Sequence, residues 1–169
     1  MNKYHGSVRI LHWVMMALFA MIFVIGFVMV EFKDTKPWEL FSLHKSTGVL
    51  VFILVLLRIT LRFTTTAPLY PNHFPSITVI LAKIVHGLLY IMMLFMPISG
   101  YALSNIHGFE VSFYGLTLPT LFPTNPEWET YIDNAHSCGA WIFLALLAIH
   151  IAGVVFHHVR KEDVLSRMT

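Results

Sequence analysis

Residues Tyr131–His158 read YIDNAHSCGAWIFLALLAIHIAGVVFHH and decide how the chain is built. Fourteen residues separate His136 from His150, and the span between them, Ser137–Ile149, carries no charge. That interval is almost four helical turns, so on a helix both imidazoles lie within about 40° of one face and roughly 21 Å apart along the axis. At least one of them stands at membrane depth, where a polar group needs a partner. Two such histidines on one helical stripe require two ligands.

Composition points the same way. The chain has 169 residues, of which 57% are hydrophobic and 12% charged, too apolar for a soluble domain of this size. It reads as one integral membrane domain, residues 1–169. Ten histidines outnumber nine acidic residues, and the single cysteine, Cys138, excludes a disulfide framework or a multi-cysteine zinc or iron–sulfur site within the chain. A net charge of +2 gives no basis for nucleic-acid binding.

Four stretches are long enough to cross the roughly 30 Å of a bilayer's hydrocarbon core, at about residues 10–30, 43–62, 77–103 and 134–158. The expected fold is therefore an all-α, four-helix membrane bundle. Lys3 and Arg9 precede the first span without a small-residue cleavage pattern, so it is read as a retained span. Pro97 and Gly100 are expected to bend the far half of the third. With both termini inside, the inner set is Lys3, Arg9, Arg58, Arg62, Lys83, Arg160, Lys161 and Arg167, against Lys33, Lys36 and Lys45 outside; this bias favours an N-in, C-in topology. The one long connection, between helices 3 and 4, lacks lysine and arginine and is rich in aromatics such as Phe109, Phe113 and Trp128. It is expected to cover the outer end of the bundle.

Placed in this topology, the histidines pair by depth: His44 with His136 outside, and His12 with His150 inside. Bis-histidine ligation is what a six-coordinate b-type haem requires, and helix bundles build such sites from facing side chains. Gly48, Gly139 and Gly153, each about one turn from a histidine, are expected to leave room for a flat macrocycle. His86 is a surplus candidate that could replace His12, bond a propionate or line a substrate site. Singly, any of these histidines could be a proton relay or be bonded to nearby backbone. Met15, Met16, Met92, Met93 and Met96 are read as packing residues.

Several segments also carry a family likeness: Ile10-Leu11-His12-Trp13, Leu43-His44-Lys45-Ser46-Thr47-Gly48, Gly115-Leu116-Thr117-Leu118-Pro119, Ala135-His136, and His150 followed by His157-His158. Together they resemble the bacterial cytochrome b561 family over essentially the whole chain. The resemblance implies a multi-pass protein of the bacterial inner membrane with two haems b. His12 and His150 match the ligands of the inner haem, and His44 and His136 those of the outer one. It further implies electron transfer between the outer face and the quinone pool, and in the most similar members oxidation of superoxide with reduction of ubiquinone. The wider superfamily includes cytochrome subunits of nickel–iron hydrogenases and formate dehydrogenases. An alternative is thus a cytochrome b subunit linking a periplasmic redox partner or dehydrogenase to quinone. A histidine-lined proton or metal transporter would instead show inverted repeats and broken helices, which are not visible.

Outside, Lys33, Lys36 and Lys45 are candidates for drawing a small anion such as superoxide toward His44, or are ordinary interfacial lysines. Inside, His73, Lys83, His86, His157, His158 and Arg160 are candidates for a quinone pocket, because imidazoles near the interface supply both donors and protons. His157, His158 and Arg160 also fit an ordinary positive-inside stop. Arg58, the deeper of two arginines one turn apart, is expected to pair with a haem propionate.

Overall fold

The computed structural model describes residues 3–35, 37–69, 75–162 and 164–169, with only the backbone of Lys33. Lys36 and His73 lie outside the described residues. Among the described residues, four α-helices run Gly6–Glu31 (α1), Trp38–Thr64 (α2), Ser76–Ile106 (α3) and Glu129–Val159 (α4), each long and apolar enough to cross a membrane. Pro37 and Pro75 immediately precede α2 and α3; a proline has no N–H, and the first turn of a helix has no intrahelical use for one. α2 and α4 start about a turn earlier than their apolar spans. Hydropathy marks hydrocarbon depth, whereas backbone groups keep pairing until a turn offers other partners.

The helices pack α1 on α2, α2 on α3 and α3 on α4, and aromatic contacts join α1 to α4. Phe143 is 1% exposed and meets Phe19 edge-on at 5.0 Å and Phe23 at 5.6 Å between ring centroids. Phe19, Val51, Met93 and Phe143, one from each helix, belong to the buried core cluster. Away from this core the helices present apolar side chains outward, Val24, Leu56, Ile84 and Val155 among them, as suits contact with lipid tails.

The α3–α4 connection is an ordered cap. Strands β1 (Ser112–Phe113) and β2 (Leu116–Thr117) form an antiparallel hairpin turned by Tyr114 and Gly115, both at positive φ, as a two-residue hairpin with right-handed strand twist requires. Ser46 of α2 clips this hairpin down, its hydroxyl donating to the Ser112 carbonyl (2.9 Å) and accepting from the Tyr114 N–H (3.1 Å). Asn105, 2% exposed, organises the rest. Its amide oxygen accepts from the N–H groups of Leu121 and Phe122, and its amide nitrogen donates to the Phe109 carbonyl.

At the opposite end, which holds both termini, residues 164–169 fold back against α1. Trp13 donates to the Met168 carbonyl (2.9 Å), Tyr4 N–H to the Arg167 carbonyl (3.1 Å), and Arg9 to an oxygen of Thr169. Arg167 in turn donates to the Pro68 and Leu69 carbonyls of the α2–α3 connection.

Because Asn105 joins three backbone groups of the cap, Asn105→Ala is expected to cost the cap about 1–3 kcal/mol. Amide exchange across residues 109–125 should then accelerate while the helices keep their protection. Unchanged protection there would remove Asn105 from this role.

Candidate functional site

At the loop end, α2 brings His44 and α4 brings His136 face to face, ring centroids 6.5 Å apart and ring planes crossed at 81°. Each imidazole lies against a glycine of a neighbouring helix. A Cβ on Gly26 of α1 would stand 3.2 Å from His44 Cε1, and one on Gly100 of α3 would stand 3.0 Å from His136 Cε1. Ser99, also on α3, contacts His136 Nδ1 at 2.9 Å and donates its hydroxyl to the Met96 carbonyl at 3.0 Å. His44 Nδ1 is buried without a formed hydrogen bond. Between these groups lies a cavity of about 310 Å³, walled mainly by apolar side chains such as Phe19, Phe23 and Phe143, with Lys45 at its lining.

At the termini end, His12 of α1 and His150 of α4 stand 6.4 Å apart between centroids, planes crossed at 77°. Two further groups join them. Arg58 Nη2 donates to His12 Nδ1 at 3.0 Å, while Nη1 is buried without a hydrogen-bond partner. His86 of α3 lies 5.1 Å from the His150 ring, with its Nδ1 on the Ala82 carbonyl at 2.5 Å.

One interval generates both levels. Gly26 follows His12, Arg58 follows His44, Gly100 follows His86 and His150 follows His136, each by fourteen residues. Halfway, seven residues from each end, stand Phe19, Val51, Met93 and Phe143, the buried layer described above. A seven-residue repeat keeps one stripe of every helix facing the bundle axis. Gly26 and Gly100 escape a reading that looks for glycines on the same helix as the histidine; the shared interval is the sequence signal that locates them. Ser99 carries no such signal.

Other candidates separate. Gly139 does not open space for a ligand: a Cβ there would stand 2.7 Å from Phe95 Cε1, so this glycine lets α3 approach α4. A Cβ on Gly153 would meet nothing within 4 Å, whereas Gly48 does line the loop-end cavity beside His44, with only Ile22 at 3.8 Å from a Cβ placed there. Lys45 is held in place, donating to the Glu110 carbonyl at 2.9 Å with its ammonium 5.6 Å from the Phe109 ring centre. His157 pairs with Glu162 at 2.5 Å, and Arg160 reaches the same carboxylate at 3.3 Å. Lys83 and His158 are exposed. His107, outside the expected set, bonds Asp133 at 3.0 Å and approaches Glu129 at 3.7 Å, tying the end of α3 to the first turns of α4.

A profile of prokaryotic cytochrome b561 proteins matches residues 3–169. The chain belongs to this family. It is 28% identical to Cytochrome b561 homolog 1 of Escherichia coli K12 over 171 residues, covering 99% of this chain and 97% of the relative. It is 26% identical to the Probable superoxide oxidase CybB of Yersinia pestis, with the same coverages, and 26% identical to Cytochrome b561 homolog 2 of E. coli K12 over 93% of this chain and 86% of the relative. As a cytochrome b561 it is a multi-pass membrane protein of electron transfer, and the family implies haem b.

The residues present fit that group. A first-row metal holds imidazole nitrogen at about 2.0–2.1 Å, and that nitrogen lies about 1.1 Å from its ring centre, so two imidazoles on one iron have centroids about 6.3 Å apart. The His44–His136 and His12–His150 separations match this value, whereas 5.1 Å between His86 and His150 is too short. Among the described residues no group of three or more His, Cys, Asp or Glu is spaced to hold a bare metal ion; a haem supplies four nitrogens of its own and asks two of the protein. The missing side chains at Gly26 and Gly100 let the Cε1 edge of each imidazole approach the neighbouring helix beside an apolar cavity.

Gly100→Val and Gly26→Val should therefore lower the haem retained by the purified protein, whereas Gly153→Ala should leave it unchanged. Pyridine haemochrome assay per chain makes the comparison, and equal retention in all three would detach the facing glycines from the site.

Proposed function

We propose that this cytochrome b561 carries two haems b, one between His44 and His136 and one between His12 and His150. It passes single electrons from superoxide at the loop end to ubiquinone at the termini end. The observation that carries this reading is the pair of histidine levels, each at the separation one iron needs, with the apolar layer around Phe143 between them. The haem supplies a reversible one-electron carrier whose potential follows its ligands and nearby charge. The similarity to a probable superoxide oxidase supports the donor. The basic residues at the termini end, Arg9, Arg58, Arg62, Lys83, Arg160 and Lys161 among them, support placing that end in the cytoplasm and the protein in the bacterial inner membrane.

The chain's own groups then have distinct tasks. His44 and His136, and His12 and His150, would hold the group, so donors and acceptors would be met at the edges of the sites, where charge and protons matter. Lys45, fixed by the Glu110 carbonyl, presents a positive charge at the cavity's rim that favours approach of an anion. Two superoxide ions give up one electron each and leave as dioxygen, while quinone takes those two electrons and two protons to become quinol. His86 suits the proton side: its Nδ1–H is bound to the Ala82 carbonyl, which leaves Nε2 as the exchangeable position. Arg58 suits a haem carboxylate. It donates to His12 Nδ1 here, but a histidine binding iron through Nε2 carries its proton on Nδ1, so the guanidinium must turn to an anionic acceptor.

A reduced-minus-oxidised visible spectrum with haem counted per chain tests the wiring: two haems b are expected, one lost in His44→Ala and the other in His150→Ala. A colourless wild type grown with ample haem would sink the reading. In proteoliposomes, superoxide should drive quinol formation at two superoxide per quinol; quinone reduction that needs an added protein donor would instead indicate a cytochrome subunit. Arg58→Gln is expected to lower the retention and midpoint of one haem only, and loss of neither would end the carboxylate assignment.

A further inference from the structure

The two levels differ in what grips the imidazole behind its ligating nitrogen, and the loop end carries a built device. Ser99 sits on α3 at 4% exposure and has one hydroxyl proton to give. The Met96 carbonyl, 3.0 Å away, can only accept, so that proton goes there. The Ser99 oxygen is then an acceptor, and His136 Nδ1, 2.9 Å away, is the donor. The imidazole of His136 is thereby held as the Nδ1–H tautomer, with the Nε2 lone pair available for iron. Gly100, the next residue, lacks the Cβ that would press on His136 Cε1, so adjacent residues of one helix set both the tautomer and the plane of a ring on another.

We propose that Ser99 is a positioning residue for the loop-end haem, acting through His136 and resting on the reading of His44 and His136 as axial ligands. Metal-bound histidines characteristically donate their second N–H to an acceptor, which fixes the ring and makes it a stronger ligand. Here a side-chain hydroxyl relays that bond to backbone. The partner histidine is served differently: His44 faces the backbone of Ile22 on α1, and no side-chain hydroxyl stands at its Nδ1. At the termini end the group beside His12 Nδ1 is the Arg58 guanidinium, which has no acceptor to offer an Nδ1 proton. Ser99 therefore acts on one haem alone. A stronger ligand favours ferric iron, so the hydroxyl holds the midpoint potential of the loop-end haem down.

Potentiometric titration of both haems tests this in the purified holoprotein, with the loop-end step identified as the one that disappears in His44→Ala. Ser99→Ala is expected to keep two haems per chain and to raise the loop-end midpoint. At fixed potential its ferric-to-ferrous ratio should fall by about three- to tenfold, the effect of one ordinary hydrogen bond, tenfold being 59 mV for one electron. The termini-end step should stay in place, and Ser99→Thr, which keeps the hydroxyl, should return the wild-type midpoint. Unmoved midpoints in Ser99→Ala, or movement of the other haem, would overturn the proposal. Should Ser99→Ala lose its haem, NMR of the reduced, diamagnetic wild type decides: a slowly exchanging Nδ1 proton on His136 close to the Ser99 Hβ protons upholds the proposal, and its absence overturns it. A wild type without haem would defeat the ligand reading itself, a separate failure seen before any midpoint is measured.

Discussion

A neutral imidazole in an apolar helix bundle has two nitrogens to satisfy and few groups available to satisfy them. The backbone of the helices is already paired with itself, so partners come from a second bond to a helix carbonyl, from a neighbouring helix or from something bound. In this chain the second nitrogens find several answers: Ser99 for His136, Arg58 for His12 and the Ala82 carbonyl for His86. His44 Nδ1 is buried without a formed bond and faces the backbone of Ile22 on α1. The ring pairs His44–His136 and His12–His150 stand 6.5 and 6.4 Å apart between centroids, too wide for a direct hydrogen bond between the rings and the spacing on which the proposed ligation rests. Gly26 and Gly100, which face the rings from neighbouring helices, make this approach possible at the loop end, and Gly48 lines the same cavity.

The repeat that generates the two levels also separates them. Seven residues is two turns, so the same inward stripe that carries His136 and His150 carries Phe143 midway, and the equivalent positions of the other helices are Phe19, Val51 and Met93. These side chains pack into a layer without polar atoms. Any electron moving between the levels crosses that layer. The ends of the bundle are correspondingly unlike. The loop end is closed by a hairpin clipped to Ser46 and a connection gathered around Asn105. The termini end is cationic and is closed by residues 164–169, which lie across Trp13, Arg9 and the α2–α3 connection.

At 26–28% identity over nearly the full length of its relatives, the chain keeps the family's overall plan. Its local chemistry has to be read from its own residues. Lys45 is an example: the charge considered for drawing an anion toward His44 is bonded to the Glu110 carbonyl and lies over Phe109. His157 and Arg160, both considered for a quinone pocket, share the Glu162 carboxylate.

The amino-acid sequence by itself determined the four membrane helices, the position of the long connection and the two levels of histidine. All of these follow from one-dimensional quantities, namely apolar length against bilayer thickness and residue interval against helical pitch. Helix ends were legible only to within about a turn, because hydropathy reports hydrocarbon depth while the backbone stays helical beyond it. Which glycine faces which ring, that Gly139 is filled by Phe95, that Ser99 holds His136, and that Arg58 reaches His12 were decided by tertiary structure alone. Each of these depends on the rotation and offset of one helix against another, and contacts between helices distant in sequence leave no periodic trace along either of them.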